Sequence, residues 1–248
     1  MRKTVLVTGA SAGIGAASAR LLAANGYDVA IGYNSDHAGA QDVARDVEIA
    51  GGKAVLIQAD VGQPAEIERM FTELDAAFPR LDALVNNAGI VAPKARVQEM
   101  EAGRLDAIFR VNVVGAFLVA RNAVRRMSVE TGGQGGAIVN MSSAAARIAS
   151  PNQYVDYAAS KGAIDVLTKG LAEEVAPYGI RVNAIRPGII ETELHAKGGE
   201  PDRVARIGPL VPMRRSGSAQ EVAEAVLWLL SDAASYVTGT FVDVSGGR

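Results

Sequence analysis

Val5-Leu6-Val7-Thr8-Gly9-Ala10-Ser11-Ala12-Gly13-Ile14-Gly15 sets a short apolar run against a glycine turn, and a segment of helical period, Ile14 to Asn25, follows at once. Strand, glycine turn and helix in that order form the context that a dinucleotide fingerprint requires. Glycines let a backbone approach a pyrophosphate closely, and a helix start presents unpaired N–H groups and the positive end of its dipole to an anion. Gly9, Gly13, Ile14 and Gly15 are therefore candidate cofactor contacts, with Ser11 as a hydroxyl donor. A turn that merely joins strand to helix is the plainer reading, but it leaves the rest of the chain unexplained.

The same kind of apolar run recurs. Thr4–Thr8, Asp28–Tyr33, Ala54–Gln58, Ala83–Asn86, Ala137–Met141, Arg181–Ile185 and Thr240–Val244 each read as a buried strand. Segments of helical period lie between them at Ile14–Asn25, His37–Ala50, Pro64–Phe78, Leu105–Met127 and Tyr157–Val175, with a last one at Val222–Leu230. Parallel neighbours need a crossover, and right-handed crossovers pack helices back onto the sheet. The pattern therefore predicts an α/β class: one Rossmann-type, doubly wound parallel sheet of about seven strands with helices on both faces, in a single domain over residues 1–248. Punctuation agrees, since Pro64 suits a first helical turn, Pro79 stops that helix, and Ser218-Ala-Gln-Glu221 reads as a capping box. Residues 191–217 break the pattern with charges, glycines and prolines where a short link is usual, and long irregular insertions are often lids over a site.

Composition narrows the function. Among 248 residues 49% are hydrophobic and 21% charged, with a formal net charge of -2, which describes a globular protein with no nucleic-acid partner. With no cysteine, disulfides, thiolate catalysis and Cys-ligated metal are excluded, and two isolated histidines, His37 and His195, do not make a metal site. No run of eighteen apolar residues occurs, so no membrane span is expected and a cytoplasmic setting is.

Ligands of open parallel sheets bind outside the carboxyl ends of the strands. An acidic residue ending the second strand would bind the ribose of NAD and repel the 2'-phosphate of NADP; here that end reads Tyr33-Asn34-Ser35. Asn34, Ser35 and His37 can donate to a phosphate, so NADP(H) is favoured over NAD(H), with Asp36 keeping NAD open. Asp60-Val61 after the third strand, and Asn87-Ala88-Gly89 after the fourth, complete that rim, with Asx-turn chemistry as the plainer role for the polar members.

Tyr157-Ala-Ala-Ser-Lys161 sets a phenol and an ammonium one helical turn apart on the same face. A neighbouring cation favours the phenolate, so Lys161 is expected to lower the pKa of Tyr157 towards the range a general acid-base uses. Isolated, this spacing is common; Ser143 upstream and Asn112 are its company. Neighbouring strand positions point to opposite faces, so only one of Ser142 and Ser143 can face a pocket. Tyr154 has an alanine where a partner lysine would stand and reads as pocket wall.

Thr8-Gly-x-x-x-Gly-Ile-Gly15, Asn86-Asn-Ala-Gly89, Asn112, Ser143 with Tyr157-x-x-x-Lys161, and Pro187-Gly-Ile-Ile-Glu-Thr192 follow one another in the order and spacing of the short-chain dehydrogenase/reductase family, which the chain resembles over essentially its full length. The resemblance implies an NAD(P)(H)-dependent alcohol dehydrogenase or carbonyl reductase. In it Tyr157 exchanges a proton with the substrate oxygen, Ser143 hydrogen-bonds that oxygen, Lys161 also binds the nicotinamide ribose, and Asn112 holds a water linking the lysine to solvent. Pro187, Gly188, Ile190 and Thr192 match the segment beside the nicotinamide, and residues 191–217 match the substrate loop, where His195, Arg214 and Arg215 are candidate contacts. The interval from Ser143 to Tyr157 is one residue longer than in many members, which bears on the wall at Ala144–Tyr154. Relatives are commonly tetramers through two long helices and the last strand. Asn140-Met-Ser-Ser143, Tyr157-Ala-Ala-Ser-Lys-Gly162 and Ala234-Ser-Tyr-Val-Thr-Gly239 look most like sugar dehydrogenases of the glucose 1-dehydrogenase kind. The alternatives are a 3-oxoacyl-acyl-carrier-protein reductase, with Arg121, Arg125 and Arg126 as a dock for an acidic carrier, and a non-catalytic NAD(P)-sensing protein.

Overall fold

In the computed structural model, residues 2–248 are described, except for the side chains of His195 and Lys197. Seven strands form one parallel sheet in the order β3-β2-β1-β4-β5-β6-β7. They are β1 (Lys3–Thr8), β2 (Tyr27–Tyr33), β3 (Ala54–Gln58), β4 (Ala83–Asn86), β5 (Gly136–Met141), β6 (Ile180–Pro187) and β7 (Phe241–Val244), within a residue or two of the predicted runs. The helices are α1 (Gly13–Ala24), α2 (His37–Ile49), α3 (Pro64–Ala77), α4 (Ala102–Phe109), α5 (Ala116–Met127), α6 (Ala145–Ile148), α7 (Val155–Val175), α8 (Leu194–Lys197), α9 (Arg203–Ile207) and α10 (Ala219–Leu230).

Both faces of the sheet are covered, which is why its central strands read as unbroken apolar runs. In β1, Val5 and Val7 join one core layer with Leu22 of α1, Val43 of α2 and Val226 of α10. Leu6, between them, points the other way onto Phe71 of α3 and Val119 of α5. Chain direction across the sheet reverses between β1 and β4, both of which end at the same edge, and the crevice there is where such sheets take ligands.

The predicted helix Leu105–Met127 is in fact interrupted: α4 and α5 are joined by a π-helical turn, Arg110–Gly115. Gly115 explains part of this, because a Cβ there would lie 2.4 Å from the carbonyl oxygen of Val61, so only glycine lets the helix come this close. One-turn π segments inside α-helices are frequent at functional sites, and this one carries Asn112, buried to 1% exposure. The run Ala102–Met127 contains an eighteen-residue window of mean hydropathy 1.4 and is by length and composition long and apolar enough to cross a membrane, although no single run in the sequence suggested it. Its inward face, Val119, Ala123 and Met127, is core packing against the sheet, which accounts for that composition.

Residues 191–217 are more ordered than their composition predicts. They hold α8, α9 and a 3-10 turn at Gly208–Leu210, and rejoin the sheet edge through a bridge between Ile190 and Gly217. The capping box on α10 is present, with Ser218 Oγ accepting from the Glu221 N–H and Glu221 accepting from the Ser218 N–H at 2.8 Å.

Candidate active site

The cleft above β1 is built by its glycines. Gly13 holds φ +55°, and a Cβ on Gly15 would lie 2.2 Å from the Gly9 carbonyl oxygen, so turn and helix start can pack only without side chains. Ala12, at the N-cap of α1, offers no side-chain cap and the first turn has no acidic residue, which leaves the leading N–H groups facing the cleft. Asn87 braces the turn from β4, donating its Nδ2 to the carbonyls of Thr8 at 2.8 Å and Gly9 at 3.2 Å. Thr8 Oγ1 accepts in return from the N–H groups of Asn87 and Ala88, each at 3.0 Å. The result is a cavity of about 320 Å³ that Gly9, Ser11, Gly13 and Ile14 border on one side and Ala88 and Gly89 on the other.

At its far end the cavity reaches Tyr33, Asn34, Ser35 and Asp36, then Asp60 and Val61. Asp36 is occupied as the N-cap of α2, accepting from Gly39 N–H at 3.0 Å, and His37 Nδ1 is 2.7 Å from the Tyr33 hydroxyl. Asp60 makes the Asx turn, its Oδ1 accepting from Gly62 N–H at 2.8 Å, so a structural role accompanies its place on the rim. A glycine cradle, uncapped helix N–H groups and a polar rim fit a dinucleotide. Its pyrophosphate would rest on residues 11–15, its adenosine ribose near Tyr33–Ser35 and its nicotinamide towards Gly89 and Thr192.

A second cavity, of about 150 Å³, adjoins the first, and Ile14, Asn87, Gly89, Thr192 and Leu194 border both. Ser143, Tyr157 and Lys161 meet there, with Pro187, Gly188 and Ile190 along one side. Ser143 comes from the loop after β5; its Oγ accepts from Ala145 N–H at 3.1 Å and lies near enough to the Tyr157 phenol to lower it. Ser142 also borders the cavity, but its hydroxyl turns away to donate to Asp165 Oδ1 at 2.7 Å, in the alternation expected of strand neighbours. Tyr157 sits in the first turn of α7, which Asp156 fixes through an ion pair with Arg104 at 2.7 Å. Asn112 lies beside Gly89 and Ile90. Its Oδ1 accepts from Ile90 N–H at 2.8 Å, and its Nδ2 donates to the Ile90 carbonyl at 2.9 Å and to Ser160 Oγ at 3.1 Å. A Cβ on Gly89 would be 3.3 Å from Asn112 Oδ1 and 3.4 Å from Lys161 Nζ, so the missing side chain of Gly89 leaves a space that both groups face.

One expectation is corrected. Lys161 was expected to pull the Tyr157 phenol down, yet burial pushes it up, with only the Ser143 hydrogen bond opposing. Lys161 Nζ lies 5.7 Å from the Tyr157 ring centroid and donates to the Met141 carbonyl at 2.8 Å. Burial pushes the ammonium itself down to about 8, against the pull of Asp165.

Behind the cavity wall, held by the lining residues Tyr154 and Arg203, is a cluster that sequence reasoning missed. Glu200, 5% exposed, is surrounded by cations: Lys94 Nζ at 2.8 Å, Arg203 Nη1 at 2.5 Å, and Arg206. It also accepts from the Tyr154 hydroxyl at 2.6 Å. Burial pushes the Glu200 carboxyl up, but hydrogen bonds from Lys94, Tyr154 and Arg203 outweigh it and hold it down to about 2. Burial and the Glu200 bond push Tyr154 up to about 12, so it is a wall residue that keeps its proton. The spacing Glu200-x-x-Arg203-x-x-Arg206 was a readable signal; Lys94 and Tyr154, distant in the chain, gave none. The side chain of His195 lies outside the described residues. Arg215 pairs with Glu221 at 2.6 Å, away from the cavity. On α5, Arg121 pairs with Glu68 and Arg126 with Asp75, so two of the three arginines offered as a carrier dock are already neutralised.

The family model described as enoyl-(acyl carrier protein) reductase matches residues 9–248. The uncharacterized oxidoreductase YgfF of Escherichia coli K12 is 54% identical over 243 residues, covering 98% of this chain and 98% of that protein. A 3-ketoacyl-(acyl-carrier-protein) reductase from Brucella melitensis complexed with NADH has a TM-score of 0.90 at 34% identity, over 99% of this chain and 98% of its own. A short chain dehydrogenase from Burkholderia cenocepacia J2315 in complex with NADP has a TM-score of 0.90 at 34% identity, over 99% of this chain and 97% of its own. Because likeness in sequence and in structure runs from the glycine turn to the end of the sheet, the chain belongs to the short-chain dehydrogenase/reductase family and is an NAD(P)-dependent oxidoreductase of hydroxyl and carbonyl groups.

Proposed function

We propose that Tyr157 is the acid-base of a reversible alcohol–carbonyl interconversion, with Ser143 as the second hydrogen-bond partner of the substrate oxygen. The nicotinamide, when bound, supplies or accepts the hydride at its C4. In the reducing direction Tyr157 gives its proton to the carbonyl oxygen as that oxygen takes on charge, and Ser143 donates a second hydrogen bond to it. Lys161 holds positive charge near the phenol and reaches the ribose of the cofactor, and Asn112, which faces the same space beside Gly89, carries the water path through which the proton is replaced. Residues 191–217 are the lid of the substrate cavity.

The observation that carries this reading is the paired Ser143 and Tyr157 hydroxyls in a cavity continuous with the dinucleotide cleft. NADP(H) is the preferred cofactor: Tyr33-Asn34-Ser35 present no carboxylate, and Asp36 is tied up as a helix cap. The assembly is a homotetramer in the cytoplasm, supported by the apolar residues that α4, α5 and α7 leave exposed. A sugar substrate rests on motif likeness; a compact substrate with an apolar body is supported by the largely apolar wall of the second cavity.

The test is turnover at the reduced-nicotinamide absorbance band, with NADPH and NADH against carbonyls including β-ketoacyl thioesters, and with both oxidised cofactors against aldoses and simple secondary alcohols. Tyr157→Phe should lose roughly 10²- to 10⁴-fold in turnover while binding cofactor as the parent does. Unchanged turnover in that variant would sink the mechanism.

A further inference from the structure

The cavity in front of Tyr157 has a charge asymmetry that proton and hydride transfer do not use. Its charged lining residues are Lys161, Arg203 and Arg248, and among the described residues no aspartate or glutamate lines it. Two of the three cations are engaged. Lys161 donates to the Met141 carbonyl at 2.8 Å, and Arg203 donates to Glu200 at 2.5 Å and to Gln153 Oε1 at 2.9 Å. The Arg248 guanidinium has neither an ion pair nor a hydrogen bond among the described residues.

Arg248 is held by its backbone. After β7 the chain turns through Gly246 and Gly247, with φ +64° and +92°, and the Gly246 carbonyl accepts from Met213 N–H at 3.1 Å. Ser245 Oγ then donates to the Arg248 carbonyl at 2.8 Å. A Cβ on Gly246 would come within 2.7 Å of Val211 Cγ1, so this turn is packed against the lid and delivers Arg248 to the cavity from a fixed base. Much of what Arg248 shares the cavity lining with is apolar, including Val91, Ile148, Ile189 and Leu194.

A guanidinium binds a carboxylate through two parallel charge-assisted hydrogen bonds. Beside apolar walls that attraction is stronger than in water, while a neutral ligand that displaces water there leaves the cation unpaired. We propose that Arg248 is a specificity residue that receives a carboxylate, and that the substrate is an apolar hydroxy or oxo acid. This rests on the reading above that Tyr157 faces the reacting oxygen.

The test compares straight-chain oxo acids of increasing length with their methyl esters, under NADPH and NADH, in the parent and in Arg248→Gln. The parent should favour one acid over its ester by roughly tenfold or more in kcat/KM, and Arg248→Gln should bring that ratio close to one. A second arm measures hexanoate against hexanamide binding to the NADP-loaded protein by calorimetry, which needs no turnover. Equal use of acid and ester by the parent, or an acid preference that survives Arg248→Gln, overturns the inference and leaves the acid-base reading standing. Arg248-dependent binding of hexanoate in a protein that turns over no carbonyl or alcohol supports the anion site and overturns the acid-base reading. Failure of hexanoate to bind better than hexanamide counts against the anion site.

Discussion

Tyr157 is buried where its charged form is disfavoured, so its neighbours govern how readily its proton leaves. Ser143 lowers the phenol against burial, while Lys161 Nζ stands 5.7 Å from the ring centroid. Asp165, one turn beyond the lysine on α7, accepts from Ser142 at 2.7 Å and from Arg186 at 2.9 Å, and its carboxylate raises the lysine's pKa against burial. The balance leaves Lys161 at about 8, below its ordinary 10.5. For a base held low by folding, the unfolded chain binds more protons between the two values, so stability rises with pH. The charge on Lys161 therefore costs stability in full below about 8, and the cost fades between about 8 and 10.5. Asp165→Asn should move the Lys161 titration to lower pH, read from the Nζ resonance of labelled lysine. A titration that stays in place would remove Asp165 from the control of that charge.

Between α6 and α7 the backbone takes an uncommon path. Ala149, Ser150 and Asn152 hold φ of 57°, 46° and 61°, in the left-handed region, and Ile148 and Ser150 line the substrate cavity. These left-handed residues fall within the interval from Ser143 to Tyr157 that reads as one residue longer than in many members. A side chain in that region costs roughly 1–2 kcal/mol, least for asparagine, whose short polar side chain tolerates it. Ala149→Gly should therefore raise stability by about 1 kcal/mol, visible as a higher Tm, and by more than Asn152→Gly; no gain at Ala149 would mean that the strain is relieved elsewhere. The sequence was legible where a signal is local. Seven strands stood out because both faces of the sheet are covered, and Tyr157 with Lys161 because one helical turn joins them. The π turn at Arg110–Gly115 was not legible, since its cause is the approach of Gly115 to Val61 from another element. Nor was the Glu200 cluster, because Lys94 and Tyr154 reach that carboxylate only after the chain has folded.

On the whole molecule, the helices that carry the site also leave an apolar face uncovered. Phe109, Val114 and Phe117 along α4 to α5, and Val166 on α7, are exposed, Val166 to 74%. Exposed large apolar side chains on these helices are what the tetramer proposed above would cover. If the proposed tetramer forms through this face, Val166→Glu and Phe117→Glu should each lower the mass measured by light scattering; an unchanged mass would place the interface elsewhere. The sheet order has a consequence of another kind. β1 is paired on one side by β2 and on the other by β4, whose residues, Ala83–Asn86, come far later in the chain. Synthesis proceeds at roughly 5–20 residues per second, so one edge of Val5-Leu6-Val7 waits about 4–16 seconds for its partner to be made. An apolar strand with an unpaired edge is a template for other chains. The glycine turn that follows β1 thus stays without its Asn87 brace throughout that interval, so the cradle for the cofactor is complete only after the fourth strand has been made.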